Sequence, residues 1–307
     1  MPPPIKLLLD ADVGTDVDDA LAIGLVLASP EIDLRAVTTV SGDVQLRARI
    51  ARKLLALGGR PGVPVAAGVR EPVLRQRSFF WLGHEGQGIL DPDDKGSLAA
   101  THAVDLLIET VSRERPHVVA IGPLSNLAVA IMKDPTLIDA IAHLTVMGGA
   151  LGLTRDVPAL EYNLASDAEA ALVVLNAGIP TTLVPLDVTW QVALRQSELA
   201  RLRRVQSPLV QTLCAAIDVW APLQRSFFEG LPAFDPETVA LLHDPLTVAT
   251  LIDRSFVTFE RLRLRAQLIE NAFRFVEDSG APEFEVATNV DATRFVAFML
   301  QRLERLA

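Results

Sequence analysis

Cysteine is almost absent from this chain. The single one, Cys214, cannot close a disulfide within the chain, so nothing here asks for an oxidising compartment. Basic charge is also short: 28 Lys and Arg stand against 38 Asp and Glu, a net charge of −10. A nucleic-acid-binding face needs a basic surplus to neutralise phosphates, so that class of partner is excluded. No apolar run reaches the ~18 residues that span a bilayer, and no membrane partner is expected. The opening Met1-Pro2-Pro3-Pro4-Ile5-Lys6-Leu7 lacks a basic segment followed by a long apolar one. No signal peptide is therefore expected, and the protein is read as cytoplasmic. Repeats, low-complexity stretches and dividing linkers are missing too, so residues 1–307 are read as one domain. What the chain does have is apolar mass: half its residues are hydrophobic, enough for a large core.

Short apolar runs alternate with amphipathic stretches through the first 190 residues. Strands are expected at residues 5–10, 34–40, 117–121, 144–147 and 182–186. Helices are expected at 17–28, 44–57, 99–112, 125–133 and 168–176. Continuous apolar strands separated by helices predict an α/β fold with an open, mostly parallel sheet covered on both faces. From 191 to 228 the pattern turns helical. A helix after His243, antiparallel strands within 257–276 and 284–288, and a closing helix at 292–306 form a small C-terminal α/β addition. Two segments, 70–96 and roughly 229–237, read as long loops of the kind that carry function.

The most informative stretch runs from Asp10 through Asp12, Gly14, Asp16 and Asp18 to Asp19, where a buried strand hands over to a helix. A helix N-terminus favours an anion by only ~0.3–1 kcal/mol. That cannot hold several carboxylates together, because like charges raise one another's pKa. Asp16 suits a helix cap, but Asp10 and Asp12 directly end an apolar strand. A hard divalent cation with oxygen ligands is the simplest remedy. An EF-hand loop counted from Asp10 would need Gly and Glu where Thr15 and Leu21 stand, and no Cys/His spacing suits zinc.

These residues resemble the inosine–uridine-preferring nucleoside hydrolase family, which opens with a strand and an Asp-rich loop matched by Asp10, Asp12, Asp18, Asp19, Ala20 and Ala22. Further stations agree in order: Gly122 to Asn126, Met147-Gly148-Gly149, Glu161-Tyr162-Asn163 and His243-Asp244-Pro245. The loop from His84 to Ile89 resembles the family's H-G-x-x-G-L. The resemblance spans nearly the whole chain. It implies a Rossmann-like nucleoside hydrolase fold and hydrolysis of ribonucleosides to base and ribose with Ca2+. Asp12, Asp19, Asp244 and the Ile121 carbonyl would bind the ion, and Asp12 would take a proton from its bound water. Asp18, Asn163 and Asp244 would hold the ribose diol, Glu161 the 5′ side, and Met147 would pack near the sugar. His243 would serve the leaving base as a proton donor, His84 would join the substrate site, and Asp10 would orient the loop from behind. The family also implies a homodimer or homotetramer. Independently, Asp12, Asp43, Ile121, Met147 and Asp187 each fall at or just past an expected strand end, the edge where open parallel sheets bind ligands.

Two positions depart from the family pattern: Asp43 and Arg155 stand where Asn is usual. They would either pair with each other or, through Arg155, read an anionic group on the 5′ side. His102, His117, His143, Cys214, Trp190 and Trp220 are read as structural or packing residues, as are Phe79, Phe80 and Trp81, with base stacking as the alternative for the last three. Two other functions compete. A haloacid-dehalogenase-like phosphohydrolase also begins with a strand and D-x-D, but wants Thr or Val where Gly14 stands. A non-catalytic nucleoside- or ribose-binding protein of the same fold would explain Asp43 and Arg155.

Overall fold

Leu7, Leu8 and Leu9 have no solvent exposure, with Leu7 and Leu9 packed in one core layer and Leu8 in the other. Side chains alternate across a strand, so this requires cover on both faces of the sheet. The computed structural model describes residues 3–91, 93–94, 101–153, 161–231 and 234–306.

Strand β1 (Ile5–Ala11) passes through the aspartate loop into α1 (Asp18–Leu27), followed by β2 (Ile32–Thr39), α2 (Val44–Leu57) and β3 (Val65–Ala67). Next come α3 (Ala103–Glu114), β4 (His117–Ala120), α4 (Ser125–Lys133), α5 (Leu137–Ala140) and β5 (His143–Met147). The chain continues with α6 (Tyr162–Ser166), α7 (Ala168–Leu175), β6 (Thr181–Val184), α8 (Leu186–Thr189), β7 (Ala193–Arg195) and α9 (Gln196–Leu202). It ends with α10 (Pro208–Phe228), β8 (Thr238–Leu241), α11 (His243–Ile252), β9 (Val257–Ile269), β10 (Ala272–Glu277), β11 (Glu283–Val290) and α12 (Ala292–Glu304).

The main sheet has the order β10-β9-β11-β6-β5-β4-β1-β2-β3. From β11 to β3 every pairing is parallel, whereas β9 and β10 are antiparallel. The C-terminal strands thus continue the central sheet through the β6–β11 pairing. One core layer holds Leu21 of α1, Leu54 of α2, Leu213 of α10 and Phe295 of α12. The other holds Leu107 of α3, Leu127 of α4 and Val174 of α7.

Several details differ from the sequence reading. The helix expected from 99 begins at Ala103, where the His102 side chain accepts from the Val104 N–H; residues 95–100 lie outside the described ones. The helical stretch after 191 is interrupted by β7, which pairs antiparallel with β8 as a separate ribbon. β3, α6, α8 and β8 span only three to five residues each, too few to show a period in sequence. Among the described residues no helix is long and apolar enough to cross a membrane.

Candidate active site

β1 lies between β2 and β4. The winding reverses there, and such a switch point opens a crevice beyond the carboxyl ends of the strands. Asp12 follows β1 and Ile121 follows β4, so both arrive at this crevice. The loop after β4 must pass close to Asp12: a Cβ on Gly122 would sit 2.8 Å from Asp12 Oδ1. Gly14 takes φ +124°, a conformation that side chains disfavour, as the aspartate loop turns into α1.

The acidic loop is held largely by its own amides. Asp12 N donates to Asp19 Oδ1 (3.0 Å), and Asp19 N to Asp18 Oδ1 (3.1 Å). Asp244, in the first turn of α11, donates its N–H to Asp18 Oδ2 at 3.3 Å. Asp18, Asp19 and Asp244 are buried, each with a carboxylate oxygen within 4.8 Å of the others. Asp12 lines the same cavity outside this trio, and Asp18, assigned to the sugar in the sequence reading, stands within it. Asp16, expected to cap α1, instead precedes the N-cap Val17 and accepts from the N–H groups of Val17 and Asp18 within the turn.

Burial pushes every one of these acids up. Asp18 reaches about 7, with Asp12 adding to the effect. Asp19 and Asp244 are raised well above the ordinary range by burial and then by neighbouring carboxylates. Asp12 is also raised by burial, with the nearby Arg47 opposing the shift. Behind them, fully buried Asp10 is pushed to about 7, while Thr38 Oγ1 (2.6 Å) and Asn126 Nδ2 (2.7 Å) both donate to its Oδ1. Its Oδ2 is buried without a partner. Asn126 also donates to the Thr39 carbonyl and accepts from Val69 N, so it ties β1, the end of β2 and the loop after β3 together.

Arg47 was hidden in the sequence as one of several helix arginines. It has no solvent exposure. Its Nε donates to the Ser41 carbonyl (2.6 Å), its Nη1 to the Asp12 carbonyl, and its Nη2 to Thr15 Oγ1 (3.0 Å). Nη2 also lies 4.0 Å from Asp12 Oδ2, and Trp81 covers the guanidinium. A signal did exist: Arg47 falls on the buried stripe Val44, Ala48, Ala51, Leu54 and Leu55 at helical spacing.

Opposite the acids, Glu161 caps α6, accepting from the N–H groups of Asn163 (2.5 Å) and Leu164 (2.9 Å). Burial pushes its carboxyl to about 7. Asn163 Nδ2 donates to the Ile121 carbonyl at 2.9 Å and the Met147 carbonyl at 3.2 Å, linking the ends of β4 and β5. The cavity between, about 400 Å³, is walled on its other side by Phe80, Tyr162, Trp190, Trp220, Phe227 and Phe228. Trp190, Trp220 and Phe80 therefore face a cavity and are not simply packing residues; Phe80 is 47% exposed. Aromatic spacing in sequence carries no sign of this, because the rings come from separate segments. His243 lines the same wall, stacked on Trp190, and its surroundings pull the imidazole down to about 4.

Other expected residues fall elsewhere. Asp43 is an exposed N-cap of α2 that accepts from Leu46 N, so it contributes to helix capping and not to the cavity wall. Arg155 lies outside the described residues. His84 stands behind the wall, bonded through Nε2 to the Thr15 carbonyl and stacked on Trp220. Asp187 accepts from the N–H groups of Leu151 and Leu153 and so holds the loop after β5.

The donors gathered here are buried carboxyl oxygens, and the orphaned Asp10 Oδ2 lies behind them. Such a set fits a hard divalent cation and not a thiophilic one. Fold and site together describe an α/β protein whose switch-point cavity joins a carboxylate floor to an aromatic wall, suited to a small polyol bearing a planar group.

The chain matches the family model of inosine-uridine preferring nucleoside hydrolases over residues 7–297 and belongs to that family. It is 30% identical to the pyrimidine-specific ribonucleoside hydrolase RihA of Enterobacter sp. (strain 638), covering 99% of each chain. It is equally 30% identical to the inosine-uridine preferring nucleoside hydrolase of Leishmania major, over 99% of this chain and 98% of that one. Among solved structures, the plant nucleoside hydrolase PpNRh1 superposes with a TM-score of 0.85 at 31% identity, covering 98% of this chain and 99% of its own. The purine-preferring ribonucleoside hydrolase from Gardnerella vaginalis gives 0.85 at 29%, covering 98% of both. Hydrolysis of a ribonucleoside N-glycosidic bond is the activity these matches assign; the phosphohydrolase and non-catalytic readings find no support in them.

Proposed function

We propose that the cavity splits ribonucleosides into free base and ribose with a calcium ion held by Asp12, Asp19, Asp244 and the Ile121 carbonyl, beside Asp18. The observation that carries this reading is the buried carboxylate floor set against an aromatic wall. Bound there, calcium would order and acidify a water molecule and hold the sugar diol.

Asp12 accepts the proton of the water whose oxygen adds to C1′. The C1′–N bond breaks with its electron pair leaving on the base, which takes up a proton from solvent water, while the proton held by Asp12 returns to solvent. Positive charge grows on the sugar ring meanwhile, and the surrounding carboxylates stabilise it. Asp18 and Asn163 hold the 2′- and 3′-hydroxyls with Asp244, Glu161 meets the 5′-hydroxyl, and Met147 packs on the sugar. The aromatic wall suits a planar base, and His243 faces the leaving group. Arg155 is assigned to the 5′ side, to be tested by comparing Arg155→Asn on a nucleoside and its 5′-monophosphate. A homodimer or homotetramer follows from the family resemblance, and light scattering would measure it.

The deciding experiment is a reducing-sugar assay across purine and pyrimidine nucleosides, with calcium and with chelator. Ribose release that chelator abolishes is expected. No release from any nucleoside would overturn the reading, and magnesium-dependent cleavage of p-nitrophenyl phosphate would replace it with the phosphohydrolase.

A further inference from the structure

His243 enters the cavity wall as the first residue of α11, and its ring is held on two sides. Trp190 stacks against it, centroids 6.4 Å apart and planes inclined by 26°. Trp190 is itself braced edge-on by Phe228 at 5.1 Å. On the ring's edge, Nδ1 lies 2.8 Å from Thr189 Oγ1. Thr189 ends α8 and has no solvent exposure. Nδ1 is thereby occupied, and Nε2 is the nitrogen left for the cavity that His243 lines.

The direction of the Thr189 bond decides the chemistry at Nε2. Among the described hydrogen bonds, the Thr189 hydroxyl has no partner besides His243. A hydroxyl carries one proton and two lone pairs, so it can donate to a bare Nδ1 or accept from Nδ1–H. If Nδ1 carried the proton, the hydroxyl proton would be buried without an acceptor, and an unsatisfied buried donor is costly. The same objection applies to an imidazolium, whose nitrogens both donate. The arrangement that leaves nothing orphaned has the hydroxyl donating to Nδ1 and the ring proton on Nε2.

We propose that Thr189 is a positioning residue that holds His243 as the neutral Nε2–H tautomer, so that the ring presents a hydrogen-bond donor to the leaving base. The inference rests on the nucleoside-hydrolase reading and extends it to a residue outside the cavity wall. A second-sphere partner that selects a tautomer is a general means of setting an imidazole's role. Here the donor strengthens its bond as negative charge builds on the departing base, and no proton need leave the imidazole.

The test compares Thr189→Val, which keeps the shape and removes the hydroxyl, with Thr189→Ser, which restores it. Long-range proton–nitrogen NMR spectra read the tautomer directly, because bare and protonated ring nitrogens resonate far apart. The wild type is expected to show a protonated Nε2 and a bare Nδ1, Thr189→Val a mixture, and Thr189→Ser the wild-type pattern. In kinetics, Thr189→Val should lower kcat/KM on inosine or uridine by about tenfold, the order of one hydrogen bond. It should change p-nitrophenyl riboside, whose leaving group departs without help, by about twofold or less, well under that one-bond effect. Thr189→Ser should recover the nucleoside rate. A wild-type ring protonated on Nδ1, or an equal loss on both substrates in Thr189→Val, would overturn the proposal. Absence of hydrolysis of either substrate by the wild type would instead remove the nucleoside-hydrolase reading, with the NMR result still deciding the tautomer.

Discussion

A guanidinium with no solvent exposure lies directly behind the loop that carries Asp12. Its fork meets three oxygens from three residues, Ser41, Asp12 and Thr15, a pattern one ammonium cannot reproduce. Arg47→Met would leave the Ser41 and Asp12 carbonyls short of a donor and remove the cation nearest Asp12. Breaking a buried charged cluster by removing one member costs about 3–5 kcal/mol, so a large fall in the urea midpoint is expected. Arg47→Lys should recover only part of it. A midpoint within error of wild type in Arg47→Met would mean the loop holds itself. Asp12→Asn makes the complementary prediction for chemistry: an oxygen remains, but the amide cannot accept the water's proton. Its kcat should fall by ~10²–10⁴-fold while a ribose-like inhibitor still binds. A variant retaining most of its kcat would assign the base elsewhere.

At the scale of the element, α6 shows how a short helix prepares the sugar side. Its cap is Glu161, whose carboxylate takes two backbone N–H groups while burial raises its pKa to about 7. An unfolded glutamate ionises near 4.5. Below that value both states hold the proton, and the full contribution to stability is present. As pH rises from about 4.5 to 7 the unfolded state releases its proton and the folded state does not, so stability falls, by up to ~1.4 kcal/mol per pH unit from this group. Glu161→Gln cannot ionise and keeps one acceptor oxygen where the glutamate offers separate oxygens to Asn163 N and Leu164 N, so it lowers the overall stability but removes the pH-dependent part. Urea titrations of the calcium-free protein across this range should show a shallower decline in the variant. Equal slopes would show that Glu161 ionises normally in the folded state.

Across the whole molecule, the carboxylate floor joins the adjacent β1 and α1 to α11, more than 200 residues further along the chain. A cation bound there ties the loop after β1 to the start of α11 and offsets the repulsion that raises these acids. An ion that binds only the folded state stabilises it by mass action, about 2.7 kcal/mol at 100 times its Kd. Calcium should therefore raise the Tm and chelator lower it, and the combined change Asp19→Asn with Asp244→Asn should abolish the difference. Hydrolysis that persists with a Tm indifferent to calcium would show that the floor works without the ion.

The alternating apolar runs and amphipathic stretches determined the parallel α/β sheet by themselves, because burial on both faces leaves no other way to place Leu7 to Leu9. The aspartate loop and the later stations were equally legible, since closely spaced acids at a strand end are too costly to be incidental. Tertiary structure decided what separate segments build jointly. Trp190, Trp220, Phe80 and Phe227 become one wall only when α8, α10 and the loop before α3 meet. Arg47 becomes an internal cation only when α2 packs under the Asp12 loop, and Thr189 meets His243 only across α8 and α11. Asp43 shows the converse: local sequence suggested a carboxylate at the site, but the start of α2 uses it as a cap. Periodicity reports which face of an element is buried; it does not report which other element that face will meet.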